Sequence, residues 1–553
     1  MAKDKQIQKQ ASLGKTFSLV AALTFASKVF GMLRDMFVAS AFGTGMIADA
    51  YNYAYAYTGN FLVLFGGLGG PFHSSAVTVL TRRKDDPACG QLVVQLLSLT
   101  ALAMGFLSIL VWIFAPLIVH LNGSGMSPQL AAETISQLRI MVPLILIGGL
   151  VGIGCGISNA YGEVFWPSLA PAIASVAIIV GIIGFREAGG LCLAVGTVIG
   201  AVGQLLVQLP GMLKANPRHF SLDTFRRLEP GTKEYFSMLW PAAISTSIGQ
   251  ITLYVDIFFT AIAGEGCWTA INNGNRLVQL PLGILITAML VPILPRFTNQ
   301  IKEGKIDELK AELRRALSLL WFLALPLSAI LIAIPRPIIV MLFQRQAFTT
   351  ESTNLVVTVL LYLVPSIFFY VARDLVTRVF YAYQDTKTPY YVAMCAIAIK
   401  AFLDWLFVIP LKMGMAGIVL ATTLITVFNL AALSTLLKRK IGNLGASALV
   451  KPVAIMTMAS IVAGLLTYFV EASVENFASG IHMGKAIEQF ASGLPLGRTI
   501  GHLASRLNLG KAIELICSVG LASALSLSAY AGICQMFKLE ETKQIAKRLK
   551  LIK

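Results

Sequence analysis

The sequence predicts an all-α polytopic membrane protein with about fourteen transmembrane helices. The 553 residues are 56% hydrophobic and only 13% charged, and the mean hydropathy is +0.75. The apolar residues come in runs long enough to cross a bilayer, which takes about 20 residues per helix. Basic residues crowd alternate loops, as is typical of cytoplasmic loops in membrane proteins.

The predicted helices alternate with short polar links. In chain order they lie near 15–41, 47–80, 89–120, 134–157, 165–185, 190–213, 236–263, 268–295, 316–343, 353–382, 389–410, 414–437, 447–470 and 512–537. The charged link 296–315 has helical spacing, which favours an amphipathic helix on the cytoplasmic surface. Residues 471–511 mix Gly, Ser, His and both charge signs, so we expect an extracytoplasmic loop there.

The net charge of +17 would suit a nucleic-acid-binding protein, but the positions of the charges argue against that class. Lys and Arg recur within 3–15, 82–84, 214–233, 296–315, 438–440 and 538–553, whereas 43–48, 120–133 and 264–268 contain none. This alternation is the positive-inside pattern. It predicts an even number of helices with both termini in the cytoplasm, and no nucleic-acid partner.

The chain also repeats itself. At a shift of 221 or 222 residues, the following pairs correspond: Asp35–Gly43 with Asp256–Gly264, Pro116–Leu121 with Pro337–Leu342, Pro143 with Pro365, Tyr161 with Tyr383, and Pro167 with Pro389. Each copy holds six predicted helices, so the copies are expected to lie parallel around a central cavity, which is a transporter plan. The predicted division is an N-lobe at 1–220, a C-lobe at 221–440 and a C-terminal helix pair at 441–553.

Ionisable groups inside apolar helices are costly, so each is a functional candidate. The candidates are Lys28, Arg34, Asp35, Asp49 and Arg276. Arg276 follows Tyr55 by 221 residues, so the repeat places it on the cavity side of the opposite lobe. Converging cations predict an anionic ligand, and a guanidinium suits phosphate oxygens. Alternatively, Arg34 and Arg276 snorkel or pair internally, as the neighbouring Asp35 allows.

No catalytic set, metal site or cofactor motif is recognisable, so an enzyme is not predicted. The seven cysteines are scattered, and of the five histidines only His73 lies in the interior of a predicted helix, since His120 is the last residue of its helix. Gly66–Pro71 is expected to break or bend the second helix. A membrane-embedded glycosyltransferase or ligase would have to rely on external-loop residues, namely His482, Arg498, His502 and Arg506. A purely structural scaffold would leave the internal charges of both lobes without a role.

Several segments resemble the MurJ (MviN) family, the lipid II flippases of the MOP exporter superfamily. They are Ser27-Lys28-Val-Phe-Gly31-Met-Leu-Arg34-Asp35, Asn275-Arg276-Leu-Val-Gln-Leu-Pro281 and Phe380-Tyr-Ala-Tyr-Gln384-Asp-Thr-Lys387-Thr-Pro389. The resemblance spans residues 15 to about 440 and implies fourteen helices in two six-helix lobes plus a terminal pair.

The resemblance also implies a function. Lys28, Arg34, Asp35, Asp49 and Arg276 would bind the pyrophosphate of lipid II in a central cavity, and the terminal helix pair would hold its polyprenyl tail. The protein would be a flippase of the bacterial cytoplasmic (inner) membrane that works by alternating access. Its partners would be lipid II, membrane lipids and cell-wall synthesis proteins.

The sequence departs from the family at two places. Lys28 stands where the family usually has Arg, and Phe61–Gly70 carries no charge where the second helix usually has an Arg and a Glu. Flipping of another polyprenyl-pyrophosphate oligosaccharide, or drug export within the same superfamily, therefore stays open. The excess of cations among the candidates favours an anionic ligand over a small cationic drug.

Some members of the resembled family bind sodium in the second lobe. The corresponding acids here are Asp256 and Asp404, with Thr423 as a further ligand, but the polar position four before Asp404 is Lys400. Residues four apart share a helix face. We expect the Lys400 amine to pair with Asp256 or Asp404 and to replace the ion. The alternative is that Lys400 snorkels to a membrane surface.

Overall fold

The computed structural model describes residues 2–67, 69–215, 228–285, 293–445, 447–481 and 509–542, and all regular structure within them is helical. The helices are α1 (Ala2–Phe42), α2 (Met46–Asn60), α3 (Pro71–Arg82), α4 (Cys89–Asn122), α5 (Pro128–Met141), α6 (Pro143–Ala160), α7 (Phe165–Phe185), α8 (Gly190–Met212), α9 (Pro230–Gly249), α10 (Ile251–Ala263), α11 (Cys267–Leu285), α12 (Ile293–Lys302), α13 (Ile306–Ala333), α14 (Pro335–Leu342), α15 (Thr350–Leu363), α16 (Ser366–Ala382), α17 (Lys387–Val408), α18 (Met415–Ile441), α19 (Ser447–Ile481) and α20 (Leu509–Met536). The predicted all-helical membrane architecture is confirmed.

Within the described residues, ten spans are long and apolar enough to cross a membrane, or eleven if the bent pair α15–α16 counts as one. The exact number of fourteen is not confirmed. The three further predicted spans are 15–41, 47–80 and 268–295. They carry Lys28, Arg34, Asp35, Asp49 and Arg276, and the second of them is interrupted. Most side chains of residues 2–21 and all of residues 286–292 lie outside the described part of the chain, so the first and third of these spans stay predictions.

The chain forms two compact units, Met1–Thr269 and Ala270–Lys553. In the first unit, α7 packs on α1 and α8, and α6 lies against α3, α4 and α8. In the second, α13 packs on α16 and α19, α18 on α16 and α17, and α19 on α20. Because α9 and α10 belong to the first unit, its border differs from the repeat border at 220, and the division into lobes stays a prediction.

Two predicted links differ from the structure. Residues 306–315 form the first turns of the long helix α13, because only the turn at Gly304, with φ of +70°, separates α12 from α13. Phe297 of α12 is fully buried, so this helix is packed on protein. The loop expected at 471–511 is helical at both ends, since α19 continues to Ile481 and α20 begins at Leu509. His482, Arg498, His502 and Arg506 lie outside the described residues.

The internal repeat is visible in backbone geometry. In the first unit, the Gly162 N–H donates to Asn159 O and the Glu163 N–H to Ser158 O, which is the Schellman turn that ends α6. In the second unit, the same two bonds end α16, from Gln384 to Tyr381 O and from Asp385 to Phe380 O.

The helix starts repeat as well. The Ser127 hydroxyl accepts from Leu130 N at the start of α5, and the Thr349 hydroxyl accepts from Ser352 N at the start of α15. The common turns and caps show that the two copies share local structure as well as sequence.

Candidate functional site

The first helix carries a tight acid–base pair. Arg34 Nε and Nη2 both lie 2.9 Å from Asp35 Oδ1, and the Asp35 side chain is only 6% exposed, against 22% for Arg34. Lys28, six residues or about 1.7 turns earlier, is exposed. The internal pairing that the sequence left open is therefore present. It fixes the direction of the guanidinium, and it leaves that group partly accessible.

Asp49 serves as a cap for a neighbouring helix. Its fully buried carboxylate accepts hydrogen bonds from Gly266 N, from Thr269 N at 2.8 Å and from Thr269 Oγ1 at 2.6 Å. Backbone N–H groups at a helix start lack partners within the helix, and an anion there is favoured by the helix dipole. Asp49 thus binds the beginning of α11 to α2, a role that sequence reasoning did not predict.

The second helix is interrupted, as expected. A π-helical turn at Phe61–Phe65 follows α2, and α3 starts again at Pro71. A Cβ on Gly66 would come within 2.5 Å of Gly148 O, so the break lies directly against the backbone of α6. This close approach requires glycine on both sides.

His73 ties this break to α6. Its Nδ1 accepts from Gly69 N at 3.0 Å, and its Nε2 lies 2.8 Å from the Asn159 side-chain amide. Each ring nitrogen of His73 thus contacts a group that holds the break against α6, namely the Gly69 N–H or the Asn159 side chain. Neither of these groups is a nucleophile.

Tyrosines in α2 form a feature that sequence reasoning missed, although alternate positions 51, 53, 55 and 57 are all tyrosine. Tyr51 is buried, and its hydroxyl lies 2.9 Å from Thr197 Oγ1. The rings of Tyr51 and Tyr55 have centroids 6.0 Å apart. Both tyrosines are close enough to Arg34 for electrostatic interaction.

Arg276 lies half-buried on α11, in the second unit. The structure thus places Lys28, Arg34, Asp35 and Asp49 in one unit and Arg276 in the other. Their convergence on one ligand stays a prediction.

The ion pair expected in α17 is confirmed. Lys400 Nζ lies 3.0 Å from Asp404 Oδ2 and 3.3 Å from Oδ1, and the side chains are 1% and 0% exposed. Thr423 of α18 donates its hydroxyl to Tyr362 O at 2.6 Å. Asp256 is half-buried on α10 in the first unit, so its relation to Lys400 stays a prediction.

An apolar cavity of about 590 Å³ lies within the second unit, between α13, α16 and α19. Its lining includes Ala333, Pro365, Phe368, Ser460 and Tyr468. It adjoins the point where α15 and α16 bend by 47°. Among the described residues, no three His, Cys, Asp or Glu side chains group in a way that could hold a metal ion.

Comparison with solved structures defines the class of protein. The chain superposes on a structure described as lipid II flippase MurJ in an inward closed conformation, with a TM-score of 0.69 and 24% identity over 82% of this chain and 92% of that one. It also superposes on an inward-facing multidrug resistance MATE transporter of the MOP superfamily, with a TM-score of 0.62 and 14% identity over 77% of this chain and 98% of that one. These matches show that the chain has the helical membrane-protein fold of these two structures.

Sequence comparison then gives the family. The family model "Lipid II flippase MurJ" matches residues 38–486. A probable lipid II flippase MurJ of Synechocystis sp. is 34% identical over 446 residues, which are 78% of this chain and 83% of that protein. The lipid II flippase MurJ of Burkholderia cenocepacia is 27% identical over 423 residues, 74% of this chain and 81% of its own. The chain belongs to the MurJ family.

Proposed function

We propose that this protein moves lipid II across the bacterial cytoplasmic membrane by alternating access, without making or breaking covalent bonds. The observation that carries the proposal is the family match, which covers residues 38–486. The match begins three residues after Asp35, at the end of α1, and includes the second lobe of the repeat. The oriented, partly accessible guanidinium of Arg34 supports an anionic ligand, because a guanidinium pairs well with phosphate oxygens.

The identity of the lipid is tested by depletion. When the protein is depleted in its own cell, lipid II is expected to accumulate, and purified protein in liposomes is expected to translocate fluorescent lipid II. Accumulation of a different polyprenyl-linked oligosaccharide would contradict the proposal. The MATE likeness makes drug export the second candidate, and uptake of a cationic dye by the same liposomes would favour it.

Lys28, Arg34 and Arg276 are proposed to bind the pyrophosphate, while Asp35 orients Arg34 and Asp49 secures the start of α11, the helix that bears Arg276. Arg34→Ala and Arg276→Ala should each abolish transport with membrane insertion intact, because a charge-assisted hydrogen bond is lost. Arg→Lys should restore little, since a lysine cannot form a bidentate contact. Normal complementation by both alanine variants would refute the site.

Lys400 is proposed to act as a tethered cation that makes sodium unnecessary. The buried amine already neutralises Asp404, and a lysine ammonium can fill a site for a monovalent ion. Transport should therefore persist in sodium-free buffer. Lys400→Asn should create sodium dependence, whereas Lys438→Asn, at an exposed position of α18, should leave transport independent of sodium. Loss of wild-type transport on removal of sodium would contradict the idea.

The polyprenyl tail is proposed to lie along the C-terminal helices α19 and α20. The apolar cavity against α19 supports this placement. Ala333→Phe, which fills the cavity, should slow lipid II transport, and Ala431→Phe at an exposed position of α18 should not. Equal rates for the two variants would place the tail elsewhere.

Both termini and the loop at 81–88 are proposed to be cytoplasmic, and 471–511 extracytoplasmic, because Lys and Arg crowd the former segments. The exposed Cys395 and Cys517 are first replaced by serine. In that background, Arg83→Cys in intact cells should resist an impermeant thiol reagent. Labelling of this cysteine from outside the cell would contradict the proposed orientation.

A further inference from the structure

The ring of Tyr55 lies flat along its own helix. A Cβ added at Gly59, one turn later, would overlap Cδ2, Cε2 and Cζ of that ring. The ring therefore rests directly on the backbone of the glycine, and any larger residue at 59 would lift it. Tyr55 is half-buried, so part of the ring stays accessible.

Neighbouring groups hold this ring in place. The buried Tyr51 ring lies at 6.0 Å and 39° to Tyr55, and Tyr51 is itself anchored at 2.9 Å to Thr197 Oγ1 of α8. The Thr197 hydroxyl in turn donates to Leu193 O at 2.7 Å. Side chains fixed in this way lose little conformational entropy when they bind a ligand.

The position of Tyr55 also links it to the ligand site. α2 contacts α1, the helix that bears Arg34, and the phenols of Tyr51 and Tyr55 lie within electrostatic range of its guanidinium. An accessible aromatic surface therefore lies near the proposed phosphate-binding group. In the repeat, Tyr55 is the counterpart of Arg276, 221 residues later. Two equivalent helix positions thus carry an aromatic ring in one copy and a guanidinium in the other.

We propose that Tyr55 is a specificity-determining residue that stacks on the sugar attached to the pyrophosphate, while Arg34 binds the pyrophosphate itself. The inference rests on the proposed lipid II transport. The face of an aromatic ring is electron-rich, and the C–H bonds on one face of a pyranose are weakly positive, so the two surfaces attract. The tyrosine-rich α2, which carries no Lys or Arg, then contributes recognition of the glycan in place of a second cation.

The test compares two ligands that share the tail and the pyrophosphate, namely lipid II and undecaprenyl pyrophosphate without sugar. Their affinities are measured with purified, detergent-solubilised protein by competition against labelled lipid II. Tyr55→Leu should weaken lipid II binding by about tenfold, because stacking of this size corresponds to roughly that factor, and should leave the sugar-free ligand unchanged. Tyr55→Phe should behave as wild type, and Arg34→Ala should weaken both ligands.

Gly59→Ala provides an independent variant, since it removes no functional group but displaces the ring. It should weaken lipid II selectively, as Tyr55→Leu does, and it answers the question if Tyr55→Leu fails to fold. Equal losses for both ligands in these variants would overturn the stacking role, as would a Tyr55→Phe variant as weak as Tyr55→Leu. Failure of the proposed function looks different, because wild-type protein would then show no preference for lipid II and no transport of it.

Discussion

Gln384 of the second unit occupies the same backbone position as Gly162 of the first, 222 residues earlier. Both residues are in the left-handed region, with φ of +58° and +82°. Glycine adopts this conformation without strain, whereas a residue with a Cβ does not. The turn at the end of α16 therefore keeps its geometry despite an unfavourable residue, which shows that the surrounding contacts determine it.

Gln384→Gly should accordingly stabilise the protein, by about 1 kcal/mol, through relief of the left-handed strain. Thermal unfolding of the purified protein in detergent measures the change. The matched control is Gly162→Gln, which introduces the same strain into the first unit and should destabilise by a similar amount. A lower melting temperature for Gln384→Gly would mean that the glutamine side chain makes a compensating contact.

The acid that follows Gln384 gives a pH dependence. A hydrogen bond from Lys440 Nζ at 2.6 Å, aided by bonds from Thr388, lowers the pKa of Asp385 to about 2. A carboxyl whose pKa is depressed in the folded state stabilises that state above its unfolded pKa, and this contribution is lost as the pH falls through the folded value. The stability advantage of wild type over Asp385→Asn should therefore be constant near neutrality and should shrink between about pH 4 and pH 2.

Unfolding by denaturant across that pH range provides the measurement. Lys440→Met is the companion variant, because it removes the donor that contributes most to the low pKa of Asp385. In its background, Asp385→Asn should cost less at neutral pH, as expected for two partners in one network. An advantage of wild type that is unchanged at pH 2 would show that the carboxylate is not the group responsible.

The sequence predicted the helical membrane class, the internal repeat and the break in the second helix, because each leaves a local signal. Apolar runs mark the spans, and Gly66–Pro71 cannot continue a regular helix. The predicted start of the loop at 471 was wrong, because α19 continues to Ile481. Helix propensity persists through 471–481, although that stretch mixes polar and apolar residues. α12 packs on protein through the fully buried Phe297. A tertiary contact of this kind leaves no local pattern in the sequence.

For the candidate site, sequence spacing predicted the Lys400–Asp404 pair, since the two residues are four apart on one helix. Sequence spacing could not predict the capping role of Asp49. The N–H groups that donate to its carboxylate belong to residues 266 and 269, which are far along the chain. The contact of the Tyr55 ring with the backbone of Gly59 was also not predicted. A pattern search for charges does not consider an uncharged ring, and the rotamer that lays it on the glycine is visible only in three dimensions.

Asp49→Ala should destabilise the first unit by about 1–2 kcal/mol, since it removes a helix cap and leaves buried N–H groups without their acceptor. Asp49→Asn should recover part of this loss, because its amide oxygen can still accept. Melting temperature is the readout, and Asp86→Ala, in the exposed turn between α3 and α4, is the control for loss of a capping carboxylate at the surface. If Asp49→Ala abolished lipid II binding at unchanged stability, the residue would instead contact the substrate.

The buried pair in α17 permits the sharpest separation of stability from transport. Lys400→Met or Asp404→Leu alone leaves one charge buried without its partner, and each should cost about 3–5 kcal/mol. The double variant Lys400→Met/Asp404→Leu removes both charges and should recover most of that stability, because apolar residues need no partner. The half-exposed pair of Arg378 and Asp374, also four apart and 3.5 Å from each other, is the control, and its removal should cost less than about 1 kcal/mol. If the double variant is stable but inactive, the charges serve transport; if it is stable and fully active, the pair is structural, and the tethered-cation proposal fails.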